Sequence, residues 1–164
     1  MEIETFYDTR TNTLTYVVWD AETRDALVID PVLDYEPAAS KTWTESVQRV
    51  VDFINGKELK LHYVLETHAH ADHLSGLKVL QSVFPEAKGA IGARIVEVQA
   101  LFKGVFDLSD DFPTDGSQFD CLLDDGDIIP LGSLDIRVLA TPGHTADSIT
   151  YVVEDAAFIG DTLF

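Results

Sequence analysis

Runs of apolar residues divide the first third of the chain into short extended segments and one helix. Residues 3–8, 13–19 and 26–30 are rich in Val, Ile, Thr and aromatic side chains, a pattern that predicts three β-strands. Residues 30–43 contain two prolines and are expected to form a loop. A helix should follow, because apolar residues recur at helical spacing at Trp43, Val47, Val50, Val51 and Ile54. Asn55-Gly56 predicts its end.

Strand and helix patterns then alternate along the chain. The predicted elements are a strand over 61–67, a helix from about Asp72 to Phe84, a strand near 88–91 and a helix near 93–103. Residues 106–127 are rich in aspartate and predict a long acidic surface loop. Four further strands are expected over 128–131, 134–140, 148–153 and 157–161. This order favours a single domain of the α/β (α+β) class over residues 1–164.

Charge is the feature of composition that excludes most functions. The 164 residues contain 29 Asp and Glu but only 11 Lys and Arg, which gives a net charge of −18. Such a field repels phosphate backbones and anionic lipid surfaces, so nucleic acids and membranes are not expected partners. Cys121 is the one cysteine, and the N-terminus has no signal-peptide pattern, so a cytoplasmic location is expected.

The stretch "ETHAHADHLSG" concentrates possible metal ligands within six residues. His68 and His70 follow an apolar strand, and alternation along an extended chain directs their side chains to the same side. Asp72 and His73 come next, where the chain turns toward a helix. Imidazole and carboxylate groups together suit Zn, Fe, Ni or Cu, so we predict that this junction forms part of a metal site.

Two later strand ends provide further ligand candidates. "ATPGHTADS" follows the strand over 134–140, and its Pro-Gly turn should expose His144. "AAFIGDTLF" places Asp161 after an apolar strand, next to a glycine that permits close backbone approach. We therefore expect His68, His144 and Asp161 to meet at one edge of the fold.

The motifs "THAHADH", "TPGHT" and "GDTLF", in this order, resemble those of the metallo-β-lactamase superfamily. The resemblance covers nearly the whole chain. It implies a four-layer αββα sandwich, of which these residues would form about the N-terminal half and the start of the second half. The phrases "ALVIDPVLDYEPAASKTWTESV", "IGARI" and "QFDCLL" further resemble the persulfide dioxygenase and β-lactamase-hydrolase-like branch.

The resemblance implies one Fe(II) per chain, held by His68, His144 and Asp161 as a two-histidine, one-carboxylate triad. The implied reaction oxidises a low-molecular-weight persulfide, such as glutathione persulfide, to sulfite with dioxygen. His70, Asp72 and His73 would then either surround the iron site and orient its ligands or be vestigial. Asp72 is also counted, with the triad, among the catalytic candidates.

Two alternatives remain open from the sequence. In a hydrolase similar to the glyoxalase II thioesterases, two Zn(II) would use His68, His70 and His144 on one side and Asp72 and His73 on the other, with Asp161 bridging. That set needs another histidine beyond Phe164, so we expect the 164 residues to be a shortened form of a longer protein. The second alternative is an inactive fragment, and two copies could also pair as a homodimer to cover the open sheet.

Several other residues have the right chemistry but are predicted to play other roles. Asp30 ends a strand and is expected near the metal ligands. His62 is predicted to be structural or to face solvent, and Cys121 is predicted to be inert, since no basic residue lies near it in sequence. Ser148 and Asp147 lie too close to His144 in sequence to form a hydrolytic triad easily.

Overall fold

The computed structural model describes residues 1–163 as two main sheets, a small third sheet and three helices. The first sheet has six strands in the spatial order β1-β2-β3-β6-β8-β9. Their bounds are β1 (Glu2–Asp8), β2 (Thr13–Trp19), β3 (Asp25–Ile29), β6 (Lys60–Leu65), β8 (Lys88–Gly92) and β9 (Cys121–Leu123). The first three strands pair antiparallel and β3, β6, β8 and β9 pair parallel, so the carboxyl ends of these four meet at one edge.

The second sheet is an antiparallel meander with the strand order β10-β11-β12-β13. Its strands are β10 (Ile128–Leu131), β11 (Leu134–Ala140), β12 (Ile149–Val153) and β13 (Ala156–Phe158). The small third sheet consists of β4 (Val32–Glu36), β5 (Lys41–Trp43) and β7 (Leu74–Ser75). The helices are α1 (Glu45–Gly56), α2 (Leu77–Val83) and α3 (Ile95–Val105).

Alternation along the central strands separates two apolar cores. Val18, Leu27 and Leu65 pack against the second sheet, whereas their neighbours Val17 and Val28 pack against helices α1 and α2. Both faces of the first sheet are therefore covered, as parallel sheets require. The described residues form a helix layer and two sheet layers, which confirms the α/β class.

The predicted loop over residues 30–43 is wrong, because β4 and β5 lie within it. Val32 is buried and pairs with Ser75 of β7. Asp34 is also buried, and it accepts hydrogen bonds from the backbone N–H and the hydroxyl of Ser46 at the start of α1. Two prolines did not prevent strand pairing here, since Pro31 precedes β4 and Pro37 follows it.

Three other element boundaries differ from the prediction. The helix expected from Asp72 begins only at Leu77, because residues 68–73 are held in the loop that forms the site and β7 follows them. The acidic loop contains β9, whose Cys121 pairs in parallel with Ala90. The last strand ends at Phe158, and Asp161 lies in the 3-10 turn Gly160–Thr162.

No helix within residues 1–163 is both long and apolar enough to cross a bilayer.

Candidate metal centre

The candidate site lies where the loop after β6 meets the loops after β11 and β13. His68 follows β6, His144 lies in the turn between β11 and β12, and Asp161 lies in the 3-10 turn after β13. One ligand atom from each of these three residues falls within 4.8 Å of the others. The structure thus brings together three residues that the sequence separates by up to 93 positions, counted from 68 to 161.

The triad combines a buried histidine with two half-exposed ligands. His68 is 1% exposed, whereas the side chains of His144 and Asp161 are 37% and 36% exposed. Oδ2 of Asp161 lies 3.4 Å from Nε2 of His144 and 3.9 Å from Nε2 of His68. The two imidazole rings are nearly perpendicular, with centroids 5.0 Å apart. The three ligand atoms therefore lie close together, and His144 and Asp161 are accessible from the surface.

A buried hydrogen-bond chain orients His68. Asp30 accepts from the backbone N–H of Thr67 at 2.7 Å and from its hydroxyl at 2.8 Å. The Thr67 oxygen lies 2.9 Å from Nδ1 of His68. Because the hydroxyl proton is directed at Asp30, Nδ1 of His68 must carry the proton that donates to Thr67. The lone pair of His68 then resides on Nε2 and points into the triad, as a metal ligand requires.

Gly160 fits against the same threonine. Its φ is +50°, and a Cβ added there would overlap the Thr67 side chain. The sequence predicted a glycine that lets the backbone approach a ligand. The structure shows instead that the 3-10 turn carrying Asp161 packs directly on the residue that orients His68.

A second cluster is formed by His70, Asp72 and His73, again with one ligand atom of each within 4.8 Å. Nδ1 of His73 donates to the backbone carbonyl of Leu74 at 3.1 Å, which leaves its lone pair on Nε2. Asp72 is exposed and accepts a hydrogen bond from the Thr13 hydroxyl at 3.3 Å. This cluster is local, since its three residues lie within four consecutive positions.

Two buried carboxylates hold the ring of His70. Its Nε2 lies 3.1 Å from Asp30 and 3.2 Å from Glu66. Burial alone would lower the pKa of His70, but the hydrogen bonds and charges of these two groups outweigh it and raise the pKa to about 10. A protonated imidazole has no lone pair for a metal. His70 therefore differs from His68 and His73, since burial lowers the pKa of both.

Glu66 is a functional candidate that the sequence analysis missed. It is 2% exposed, accepts a short hydrogen bond from the Ser75 hydroxyl, and has its pKa raised by burial. The available signal was an acidic residue placed directly after the apolar strand "LHYVL". Asp30, by contrast, was expected near the ligands, and its contacts with Thr67 and His70 confirm that position.

Asp147 connects two of the loops that form the site. Its Oδ2 accepts from the backbone N–H of Ala69 at 2.9 Å, between the two histidines of the first motif. Ser148 forms a hydrogen bond with Thr145 at 2.6 Å. Asp147 thus supports the backbone of the metal-motif loop, and Ser148 pairs with Thr145 in the turn that carries His144.

His62 and Cys121 lie outside these clusters. The His62 side chain is half exposed and pairs with Asp25 at 2.7 Å on the first sheet, which confirms a structural, solvent-facing position. Cys121 is partly buried in β9 and packs against the core between the sheets.

Two open cavities flank the triad. One, of about 720 Å³, lies between the metal-motif loop and α3 and reaches His70 and His144. The other, of about 520 Å³, lies under the turn between β1 and β2 and reaches His70, Asp72 and Asp161. A small molecule could therefore approach the ligand atoms from either side.

Unpaired buried nitrogens show that these residues suit a metal ion. Within residues 1–163, Nε2 of His68 and Nε2 of His73 are buried and form no hydrogen bond. Leaving a buried polar atom without a partner costs about 1–3 kcal/mol, which binding to a metal would offset. The two nitrogens belong to separate clusters. Each cluster also contains a second imidazole and one carboxylate.

Comparison with known proteins agrees with this geometry. The sequence model of the metallo-beta-lactamase superfamily matches residues 8–164. The chain is 40% identical to a protein named Glyoxylase B2 from Dictyostelium discoideum, over 99% of the chain and 56% of that protein. It is 44% identical to a Beta-lactamase hydrolase-like protein from Agrobacterium fabrum, over 99% of the chain and 37% of that protein.

A further relative and a solved structure carry the persulfide dioxygenase resemblance. The chain is 31% identical to mitochondrial Persulfide dioxygenase ETHE1 from Bos taurus, over 96% of the chain and 50% of that protein. The crystal structure of ETHE1 from Myxococcus xanthus matches with a TM-score of 0.75 and 31% identity, over the whole chain and 59% of that structure.

The chain spans 37–56% of the length of these curated relatives. Members of the matched family are metal-dependent enzymes, among them dioxygenases and hydrolases, and the clustered ligands of this chain suit the same use. The family model covers nearly every residue, and the fold agrees with the solved relative. The chain belongs to the metallo-β-lactamase superfamily.

Proposed function

We propose that the protein is a mononuclear iron dioxygenase that oxidises the terminal sulfur of a low-molecular-weight persulfide. His68, His144 and Asp161 would hold one Fe(II). The observation that carries the proposal is the convergence of these two histidines and one carboxylate on a site that is accessible from the surface. That donor set, with open positions, is typical of non-haem iron oxygenases.

The reaction balances as RSSH + O₂ + H₂O → RSH + HSO₃⁻ + H⁺. The terminal sulfur loses four electrons, the dioxygen gains four, and the S–S bond breaks to release the thiol. A ferrous ion at the triad would supply the open coordination positions and the one-electron chemistry that dioxygen requires.

The residues of the chain have distinct tasks in this reaction. Asp30 and Thr67 fix the Nε2 lone pair of His68 toward the metal. Asp161 contributes the negative charge of the triad. The side of His144 faces the larger cavity, so the persulfide would approach from there and its terminal sulfur would meet the dioxygen at the triad.

A dizinc hydrolase of thioesters or esters is the second candidate. It is supported by the adjacent cluster of His70, Asp72 and His73 and by the name of the Beta-lactamase hydrolase-like relative. Two metals would activate a water for attack on a carbonyl group. The ion pairs of His70 with Asp30 and Glu66 compete with this arrangement, because they direct one of its nitrogens at carboxylates.

Oxygen uptake tests the proposal. The full chain, loaded anaerobically with Fe(II), should consume dioxygen when a persulfide is added and release one sulfite per dioxygen. The zinc-loaded chain should consume none. Thioester hydrolysis by the zinc-loaded chain, without oxygen uptake by the iron-loaded chain, would overturn the proposal in favour of the hydrolase.

A pair of histidine variants provides the control. His144→Ala should abolish oxygen uptake, whereas His62→Ala should leave it unchanged, because His62 is half exposed and lies outside both clusters. Equal loss in both variants would indicate damage to the fold.

A further inference from the structure

The larger cavity beside the triad has an unusually apolar wall. Helix α3 contributes Val98, Leu101 and Phe102, and Phe106 follows the helix end. Positions 98, 101 and 102 share one helical face. The rings of Phe102 and Phe106 stack with centroids 5.4 Å apart. The opposite wall is the metal-motif loop and the turn that carries His144, so the apolar surface continues directly to the candidate ligands.

The charged side chains at the cavity wall are already paired, since the protonated His70 lies 3.1 Å from Asp30 and 3.2 Å from Glu66. Glu97 is the one charged residue in the lining besides the histidines, and Arg94 pairs with it through two hydrogen bonds of 2.9 and 3.1 Å. Lys103, the cation of α3, directs its ammonium group at the carbonyls of Asp110 and Phe112. Among residues 1–163, the lining therefore contains no Lys or Arg side chain that could pair with a carboxylate of a ligand.

Size and charge together limit what this cavity accepts. A volume of about 720 Å³ lies within the range of sites that bind small organic molecules. A glutathione moiety carries two carboxylates and one ammonium group, so its net charge is negative. The lining provides no Lys or Arg for the carboxylates, and the net charge of −18 of the chain opposes them. An uncharged alkyl or aryl group instead gains by burying its surface against Leu101 and the two phenylalanines.

We infer that this cavity binds the uncharged, apolar organic group of the substrate, so that the preferred persulfide is an alkyl or aryl persulfide. The oxidation of the bound persulfide rests on the proposed function, whereas the preference for an apolar group rests only on the cavity lining. It assigns Leu101 and Phe102 to substrate specificity, with the sulfur end of the molecule directed at His144.

Paired persulfides test the preference in the iron-loaded full chain. We expect kcat/KM for benzyl persulfide to exceed that for glutathione persulfide by at least about tenfold, the factor that follows from burying part of an aromatic ring. Leu101→Lys should lower the value for benzyl persulfide about tenfold and raise the value for glutathione persulfide. A preference for glutathione persulfide, or a ratio that Leu101→Lys leaves unchanged, would overturn the inference.

Val105→Lys is the matched control on the same helix. Val105 is 63% exposed and Leu101 is 62% exposed, but only Leu101 lines the cavity. Both variants add one charge to the surface of α3, and equal melting temperatures would show that both are folded. Only Leu101→Lys should change the ratio between the two persulfides.

Thiol binding tests the cavity assignment independently of the dioxygenase proposal. Benzyl mercaptan should bind the full chain more tightly than glutathione in calorimetry, and Leu101→Lys should weaken its binding. If that result appears while neither persulfide drives oxygen uptake, the dioxygenase proposal fails and the cavity assignment stands. If benzyl mercaptan does not bind and both lysine variants disperse a self-associated form, the wall is a contact between copies, and the inference is wrong.

Discussion

The two ligand clusters of the candidate site are built in opposite ways. His68, His144 and Asp161 come from three separate loops, whereas His70, Asp72 and His73 come from one short segment. The triad depends on the packing of both sheets and on the loops that Asp147 and Gly160 connect. The local cluster depends mainly on the turn between β6 and β7.

The two clusters therefore depend on the surrounding structure to different degrees. A buried hydrogen-bond chain and a glycine contact support His68, so its geometry is set before any metal binds. Asp72 is exposed and has the Thr13 hydroxyl as a partner at 3.3 Å. We therefore expect the triad to bind a metal ion more tightly than the local cluster does.

Removal of the carboxylate from the triad should have the largest effect. Asp161→Ala should weaken Fe(II) binding by more than about a hundredfold, since changes outside the ligand set alone cost about 10–100-fold. His73→Ala, which removes a ligand of the local cluster, should leave that affinity within about threefold. Competition with a calibrated chelator measures both, and a larger loss in His73→Ala would reverse the proposed order.

Disruption of the support for His68 should give the next largest effect. Thr67→Val keeps the side-chain shape but removes the acceptor for Nδ1 of His68, so Fe(II) affinity should fall about 10–100-fold. Thr13→Val is the reciprocal variant, because Thr13 donates to Asp72 of the local cluster. Titration of both variants should show a loss only in Thr67→Val, and similar losses would mean that the clusters are not independent.

Glycine variants should give a smaller, mainly structural effect. Gly160→Ala places a methyl group against Thr67 at a positive φ, which should lower the free energy of unfolding by about 1–3 kcal/mol. Gly143→Ala, in the loop that carries His144, has no atom within 4 Å of the added methyl group. Chemical denaturation of the two variants compares them, and equal stability would contradict the assigned contact.

The smallest effect should come from a carboxylate far from either cluster. Hydrogen bonds from the N–H and hydroxyl of Ser133, followed by the N–H of Glu22, hold the pKa of Asp20 below its ordinary value. A lowered pKa in the folded state stabilises the protein above the unfolded-state pKa of about 3.9, and this contribution is lost as the pH falls below it.

Asp20→Asn should therefore lower the melting temperature at pH 7, and the difference from the parent chain should shrink as the pH falls below about 3.9. Fe(II) affinity at pH 7 should be unchanged, because Asp20 joins the turns of β2–β3 and β10–β11 and contacts neither cluster. A difference in melting temperature that stays constant with pH would contradict the role assigned to this carboxylate.

The sequence predicted the composition of the triad but not the structure that supports it. Motif residues at strand ends indicated His68, His144 and Asp161. His68 follows the parallel strand β6, whereas β11 and β13 both pair antiparallel with β12 and therefore run in the same direction. Glu66 gave only a weak signal, since one acidic residue after an apolar strand is usually exposed. Its burial depends on Ser75 and His70, and the sequence alone does not show that these partners meet.

The local sequence pattern predicted the wrong element where tertiary contacts determine the backbone conformation. Residues 72–76 follow helical spacing into α2, but β7 forms there because Leu74 and Ser75 pair with β4. The acidic loop likewise gains β9 only because the edge of β8 is available for pairing. Both differences arise from partners distant in sequence, which a pattern of neighbours does not contain.

The metal content of the full chain, purified without added metal and measured by plasma mass spectrometry, tests the central claim most directly. We predict about one iron per chain, the amount that the single triad of His68, His144 and Asp161 would hold. Two zinc ions per chain would contradict the claim, because both clusters would then be metal sites and the hydrolase would be the better account.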